Sequence, residues 1–297
     1  MQTTRWLDKS ENQLDDIINS IMSYKVEENI LIGDINFLFE KVFETNQTIV
    51  LNEKNILFNK IKFKYDSVID GEQQPIEDRT TQKDGFIIIY DTGQNINYIT
   101  SKSISEAKTF LRKLNNYSEK NIILENMTSY DNNFFLWLIK KIYTNNNIIP
   151  INLEREIEIK SVKGFRGKTS DSLTKIKADG ETVLNVISTL AFLLESKNIN
   201  QMTIEFEYGL HENIELKINT NGTIYTDINS YTGILLDEEY EIRTTHLILL
   251  IYLELLPKIY QEYKSEFNNN RALEQKAYQE FIELIKKDVI DRIENII

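Results

Sequence analysis

The residues with the clearest chemical potential lie between Ile157 and Ala178, where positive charge is concentrated in an otherwise acidic chain. This segment contains two acidic residues, Glu158 and Asp171, against six basic ones. The basic residues are Lys160, Lys163, Arg166, Lys168, Lys175 and Lys177. A local surplus of positive charge is typical of a phosphate-binding surface, and it is also typical of an ordinary solvated loop.

Two glycines in this segment favour the binding interpretation. Gly164 and Gly167 have no side chains, so their backbone N–H groups are accessible to an anion. We expect a strand over residues 155–162, a loop over Gly164–Thr169 and a short helix around Ile176. The loop would then lie at a helix N-terminus, where anions bind. We therefore predict a site for nucleic acid or another phosphate-bearing ligand, formed by the six basic residues with Gly164 and Gly167.

The same segment contains two incomplete phosphate-binding motifs. Gly167-Lys168-Thr169 has the residues that end a nucleotide-binding P-loop, but that motif requires a glycine at position 162, which is Val. Gly164-Phe165-Arg166-Gly167 has the Gly-x-x-Gly form that clamps a nucleic-acid backbone in some single-strand binders. Ser170 stands where that motif expects an apolar residue. The prediction therefore depends on charge and not on a complete motif.

An enzymatic alternative uses the same strand. Glu158-Ile159-Lys160 and Glu215-Leu216-Lys217 both have the Glu-x-Lys spacing of magnesium-dependent nucleases. Residues two apart on a strand share a face, so a carboxylate and a lysine can act together on a metal-activated water. Such a site also needs an Asp on a neighbouring strand, and alternating charge is equally typical of a solvent-facing strand. Glu158 with Lys160 is the preferred pair, because it adjoins the basic segment.

Three further patterns favour structural interpretations. Asp91-Thr92-Gly93 has the form of an aspartic-protease triplet, but that chemistry needs a second copy, and a hairpin turn explains the same residues. Lysines at every second position of residues 60–64 are typical of an edge strand that is protected against aggregation. His211 falls in a turn, and His246 falls on an apolar helix without a second histidine at helical spacing.

Composition limits the functions that remain. The 297 residues include 34 Lys and Arg against 46 Asp and Glu, which gives a net charge of −12, with two His and no Cys. Without Cys there is no disulfide, no zinc–thiolate site and no cysteine nucleophile. The acidic balance disfavours a general nucleic-acid coat. The N-terminus does not resemble a signal peptide, and the longest apolar run, Leu247–Leu256, is about half of the roughly 20 residues that a membrane span needs. We therefore expect a cytoplasmic protein that contacts no membrane and needs no cofactor.

The elements that must position these residues indicate an α+β fold of antiparallel hairpins and a meander, with flanking helices and a long helical C-terminus. Helices are predicted after Ser10 and Ser103, and over 34–43, 131–143, 181–196, 237–267 and 271–297. Strands are predicted over 48–51, 61–65, 86–90, 96–100, 155–162, 202–208, 213–219 and 223–228. Residues 66–84 predict a mobile loop in an N-terminal domain, 1–149, and Pro150 marks the expected start of a C-terminal domain, 150–297.

Three functional hypotheses follow. The first is a non-enzymatic binding or sensor subunit of a larger assembly, which contacts a nucleic acid or another phosphate-bearing ligand through residues 160–177. An antiphage or mobile-element setting rests only on the Asn-, Ile- and Lys-rich composition, which is typical of an AT-rich genome. The second is a nuclease that uses Glu158 and Lys160. The third is an acidic scaffold or toxin-neutralising partner, in which Glu238, Glu239 and Glu241 meet a basic protein.

The C-terminal helix carries an apolar stripe that predicts either packing within the chain or a homo-oligomer. Its residues are Phe281, Leu284, Ile285, Val289, Ile293 and Ile296.

Overall fold

The structure is a computed structural model that describes residues 1–26, 32–71, 75–151, 155–169, 175–179, 190–191, 193–194, 196–268 and 270–295. The chain divides into two compact units, Gln2–Met127 and Thr128–Ile297, and Met1 belongs to the second. Each unit combines antiparallel strands with helices, which confirms the predicted α+β class.

The N-terminal unit is built on an antiparallel sheet. Its strands are β1 (Gln2–Asp8), β2 (Gly33–Lys41), β3 (Gln47–Leu51), β4 (Lys54–Val68), β5 (Thr80–Asp91), β6 (Ile96–Thr100) and β7 (Ile123–Glu125). Within this unit the order is β1-β6-β5-β4-β2, with β7 also paired to β1 and β3 to β4. The predicted hairpin of residues 86–100 is confirmed, since β5 and β6 pair directly.

Two helices pack on this sheet, α1 (Leu14–Ser23) and α2 (Ile104–Leu114). Their apolar residues form one buried cluster with Ile61, Phe63 and Tyr65, which alternate along β4. Alternation on the strand and 3.6-residue periodicity on the helices place these side chains on facing surfaces. The hydrophobic effect therefore holds helices and sheet together.

The structure changes the prediction for residues 34–43. They form β2 instead of a helix, because Phe37 and Phe39 alternate with exposed residues and pack against the buried cluster. Phe37 also stacks on Tyr65 of the neighbouring strand, with ring centroids 4.8 Å apart. A period of two, and not of 3.6, therefore describes this segment.

The segment predicted as a mobile loop, 66–84, is largely regular. Residues 66–68 pair with 80–82, which extends the β4–β5 hairpin and leaves residues 69–79 as its connection. β4 is also not an edge strand, because it pairs with β2, β3 and β5. Lys60 is accordingly buried, with its ammonium 4.8 Å from the centroid of the Phe86 ring. The edge-strand interpretation is therefore wrong for the lysines of residues 60–64, since β4 is paired on both sides.

The C-terminal unit contains a second antiparallel set of strands. They are β8 (Ile148–Pro150), β9 (Glu156–Thr169), β10 (Lys175–Asp179), β11 (Ser196–Tyr208), β12 (His211–Asn219) and β13 (Ile224–Thr226). Their order is β10-β9-β11-β12-β13, with β8 also paired to β9. The predicted meander is confirmed as β11-β12-β13. Gly222 in its second turn has a φ of 78°, a left-handed conformation that glycine adopts without strain.

The helices of this unit are α3 (Asn132–Tyr143), α4 (Tyr240–Leu250), α5 (Leu256–Glu266) and α6 (Arg271–Glu294). Between α4 and α5, residues Ile251–Leu255 form a π-helical turn, in which the Leu256 N–H bonds the Ile251 carbonyl. Pro257 explains this irregularity, because it has no N–H for a carbonyl one turn back and its ring crowds that carbonyl. The predicted helix over 181–196 lies largely outside the described residues.

The apolar stripe of α6 packs mainly within the unit. Phe281, Ile285 and Val289 are buried, and the Phe281 ring meets Tyr143 of α3 at 5.8 Å between centroids. Leu284 and Ile293 are exposed, and Ile296 lies outside the described residues. Packing within the chain, the first of the two predicted alternatives, therefore explains the buried half of the stripe.

The division between the units falls before α3, whereas the sequence places it near residue 149. Two hydrogen bonds show why α3 belongs to the C-terminal unit. Ile199 N–H donates to the Asn132 side chain at 2.7 Å, and Trp137 Nε1 donates to Glu266 at 2.8 Å. These partners lie far along the chain, so local composition around Pro150 does not reveal them.

Candidate functional site

The basic segment is a strand and not a loop. Residues 164–169 continue β9, and residues 175–179 form β10 where a helix was expected. Leu173, expected on that helix, lies outside the described residues. Phe165 and Gly167 are buried, as alternate positions on a strand with one core face. The glycine loop, the helix N-terminus and the two partial motifs are therefore wrong for the described residues, because each requires the chain to turn at these glycines.

The strand register nevertheless brings most of the predicted basic residues together. In the β9–β10 pair, Lys175 lies opposite Lys168, and Lys177 lies opposite Arg166. We call these four register positions, Arg166, Lys168, Lys175 and Lys177, the cationic face. Asp179, opposite Gly164, is an acidic residue at its end.

On the other side of β9, the β11 positions opposite Arg166 and Lys168 are occupied by amides. Asn198 of β11 lies opposite Lys168, and Gln201 lies opposite Arg166. Gln201 in turn donates a hydrogen bond to Asn219 of β12 at 2.7 Å. Arg166 is exposed and forms no ion pair within the described part of the chain.

The two remaining predicted lysines have a different environment. Lys160 Nζ lies 3.1 Å from a Glu207 carboxylate oxygen, and Lys163 Nζ lies 3.2 Å from one of Glu205. Ser161 also donates to Glu205, at 2.6 Å. Both glutamates come from β11, whose sequence changes from amides beside the cationic face to carboxylates beside these lysines. The structure therefore divides the predicted site into a neutralised part and a cationic face.

The nuclease alternative is not assembled at Glu158. That carboxylate accepts a hydrogen bond from Asn147 at 3.1 Å and lies opposite a second acid, Glu207. The neighbouring Asp that such a site requires is instead found beside the other pair, where Asp227 N–H lies 3.4 Å from the Glu215 carbonyl. Burial, together with Asp227 and Glu205, raises the pKa of the Glu215 carboxyl. Among the described residues, no group of three His, Asp or Glu side chains is placed to hold a metal ion.

The protease-like triplet forms a turn. Asp91 ends β5, and its carboxylate accepts the Gly93 N–H at 2.7 Å. Thr92 N–H donates to the Asn95 carbonyl at 3.3 Å, which closes the hairpin. Asp side chains commonly accept a backbone N–H two residues on in this way. The structural interpretation therefore accounts for these residues.

Sequence analysis missed a buried polar network in the C-terminal unit. Tyr208 Oη donates to a Glu254 carboxylate oxygen at 2.5 Å, and Lys258 Nζ lies 2.5 Å from the same oxygen. Lys258 also donates to Tyr208 Oη at 2.8 Å. Tyr208 and Glu254 are each only 4% exposed. The available signal was Glu254 itself, the single charged residue in the apolar run Leu247–Leu256.

The charges in this network support one another. Burial alone would lower the pKa of Lys258, but hydrogen bonds with Glu254 and Tyr208 outweigh it, and the pKa is raised. Burial raises the pKa of Tyr208, and the bond to Glu254 adds to that effect. Because the acid and the phenol are enclosed, the network ties the π-helical turn to the end of β11.

His211 adjoins this network. Its ring stacks on Tyr208 with centroids 6.5 Å apart, and Nδ1 lies 2.8 Å from Tyr231 Oη. The same hydroxyl accepts the Leu235 N–H at 3.2 Å, so its proton is available for Nδ1. Burial lowers the pKa of the imidazole, partly opposed by the Glu254 charge. The hydrogen bond between the His211 ring and Tyr231 therefore helps to fix residues 231–235.

Comparison of the sequence with known protein families and with curated proteins found no match. In the described part of the chain, none of the helices has the length and apolar character required to cross a bilayer.

Proposed function

We propose that this protein is a non-enzymatic cytoplasmic binding or sensor subunit of a larger assembly, which holds the phosphates of a nucleic acid or another polyanion on the cationic face. The observation that carries the proposal is the register of β9 and β10, which sets Arg166 against Lys177 and Lys168 against Lys175. β11 adds amides and no carboxylate at these positions. Arg166, the member of this group whose side chain is described, is exposed and has no ion pair with a described residue, which supports the proposal.

The geometry suits several phosphates of one ligand. Same-face residues on a strand are separated by about 7 Å, and directly opposite residues by about 5 Å. Phe165, the aromatic residue of this segment, is buried in the core and offers no surface for base stacking. We therefore propose recognition of backbone charge with little preference for base sequence.

The test is binding of a fluorescent oligonucleotide, and separately of inorganic polyphosphate, over a range of salt concentrations. Single strands lose about 0.7 in the log–log salt slope for each phosphate contact, so four contacts predict a slope of about −3. Arg166→Gln with Lys177→Gln removes one cross-strand pair, and the slope should fall to about −1.5. The same double variant should fold at least as stably as the native chain, because it removes repulsion between like charges.

Two controls separate a site from general charge. Lys276→Gln with Lys286→Gln makes the same change in net charge on α6, on exposed side chains. Lys160→Gln removes a lysine that Glu207 already neutralises. Both should leave the slope near its native value. Equal losses in all three variants, or no binding at low salt by the native chain, would overturn the proposal.

A further inference from the structure

A second surface of the C-terminal unit lies where the β11–β12 turn meets residues 231–239. Ile234 N–H donates to the Leu210 carbonyl at 3.0 Å, which joins the two segments. Gly233 makes the approach possible, since a Cβ at this position would lie 2.6 Å from the Leu210 carbonyl oxygen. Gly233 also has a φ of 135°, which other residues rarely adopt.

This surface exposes large apolar side chains. Leu210 is 68% exposed and Ile234 is 59% exposed, and both Leu236 and Tyr240 are 50% exposed. Arg243 connects the last two, because its Nη1 donates to the Leu236 carbonyl at 3.0 Å and its guanidinium lies 5.9 Å from the Tyr240 ring centroid. We call these four residues the apolar patch. Adjacent apolar side chains in water are typical of an interaction site, whereas single ones are not.

The apolar patch is held in place by contacts beneath it. Tyr231 is buried, and its hydroxyl joins His211 Nδ1 at 2.8 Å to the Leu235 N–H at 3.2 Å. Thr232 and Asn213 exchange backbone hydrogen bonds, each 3.2 Å long. A preorganised surface loses little conformational entropy on binding. These contacts fix the backbone that carries the exposed apolar side chains.

Acidic residues surround the apolar patch. Glu212 lies on one side, and Asp237, Glu238 and Glu239 follow Leu236 directly; all four are exposed. None of these four carboxylates forms an ion pair with a described residue. Two cations lie close to this border, and both have other partners. Arg243 donates to the Leu236 carbonyl and lies over the Tyr240 ring, whereas Lys160 donates to the Glu212 carbonyl at 3.1 Å and pairs with Glu207. A ligand that covers the apolar side chains would therefore meet a predominantly acidic border.

We propose that the apolar patch and its acidic border bind a basic amphipathic segment of a partner protein, in which apolar side chains alternate with Lys or Arg. The apolar side chains of the partner cover Leu210, Ile234 and Leu236, and its cations face Glu212 and residues 237–239. Charge complementarity selects this occupant over an acidic or a purely apolar segment. This surface and the cationic face share no residue, so either proposal can fail without the other.

The test uses the full chain and synthetic peptides measured by fluorescence anisotropy. The probe is a short amphipathic helix of Lys and Leu; the comparison peptides have Glu in place of Lys, or the same composition in a non-amphipathic order. We expect binding of the basic amphipathic peptide only. Leu210→Ser with Ile234→Ser should weaken it by about tenfold or more, the loss expected for central interface residues.

Matched variants identify the location. Leu38→Ser changes a leucine that is 69% exposed on β2, and it should leave the affinity unchanged. Glu238→Gln with Glu239→Gln should weaken binding and reduce its salt dependence, whereas Glu280→Gln with Glu283→Gln on α6 should not. Equal effects of Leu38→Ser and Leu210→Ser would overturn the proposal. Self-association of the native chain that Leu210→Ser abolishes would also overturn it, because the occupant would then be a second copy.

Discussion

The network of Glu254, Tyr208 and Lys258 makes a quantitative prediction about stability. Glu254→Leu replaces the buried carboxylate by an apolar side chain of similar size. The change leaves the Lys258 ammonium without its anion and the Tyr208 hydroxyl without its acceptor. We expect the C-terminal unit to lose stability, with little change in the N-terminal unit, which contains none of these residues.

The magnitude follows from the burial of each group. Removing one member of a buried ion pair costs about 3–5 kcal/mol, because the other charge stays desolvated. The Lys258 side chain is 18% exposed and can turn toward water, which places the expected loss at about 3 kcal/mol. In Glu254→Leu with Lys258→Met both charges leave together. The remaining cost is that of one unsatisfied hydroxyl, about 1 kcal/mol.

The assay is urea unfolding of the native chain, the two single variants and the double variant. The coupling energy between the two positions should be large, because the double variant is more stable than Glu254→Leu alone by about 2 kcal/mol. Glu280→Leu is the control, since its ion pair with Lys276 is 3.9 Å long and highly exposed. Such surface pairs contribute about 0.5 kcal/mol or less.

One result would refute this reasoning. Suppose that the double variant is less stable than Glu254→Leu by the same free energy that Lys258→Met costs in the native chain. The two effects would then be additive, and the two charges would not stabilise each other. The contribution of Glu254 would then come from packing and not from the ion pair.

Two further predictions concern packing and pH. Gly85→Ala should destabilise the N-terminal unit by about 1–3 kcal/mol in thermal unfolding, since the added Cβ would lie 2.2 Å from Ser101 Oγ and 2.6 Å from the Phe63 ring; native stability would contradict this. Burial lowers the pKa of both His211 and His246, so the unfolded chain binds these protons more tightly. The contribution of these two residues to the free energy of unfolding is complete above about pH 6.5 and is lost as the pH falls through their lowered pKa values. Urea unfolding at several pH values should show a smaller loss of stability at low pH in His211→Gln with His246→Gln. An unchanged pH dependence in that variant would count against the argument.

Some helices were predictable from local pattern alone. The prediction for residues 131–143 matches α3 to within one residue, and Ser103 marked the start of α2. Local periodicity and capping suffice when one face of a helix meets a core. The helix predicted for residues 34–43 was wrong because its aromatic residues lie at every second position, as on a strand. Only the pairing of this segment with β4 shows that the two-residue period applies.

The geometry of the candidate site was not predictable from the segment that contains its residues. All four members of the cationic face come from the basic residues of 157–178. Nothing within that segment shows that Lys163 pairs with Glu205 while Arg166 lies opposite Gln201, because both partners lie on a strand that comes later in the chain. The Tyr208–Glu254–Lys258 network was missed for the same reason, since its first two members are 46 residues apart.

β11 places carboxylates beside one part of β9 and amides beside the other, so residues on the two strands should vary together among relatives of this chain. Lys160 with Glu207, and Lys163 with Glu205, should be gained and lost together, since each residue alone leaves an unpaired charge on the sheet. Arg166 should keep its charge while position 201 stays uncharged. Under the proposed function, a single change of Gln201 to Glu would place a carboxylate opposite Arg166 and weaken phosphate binding without altering any basic residue. The net charge of this surface depends on residues of both β9 and β11. An alignment of residues 157–178 alone would therefore not reveal which relatives retain the charge.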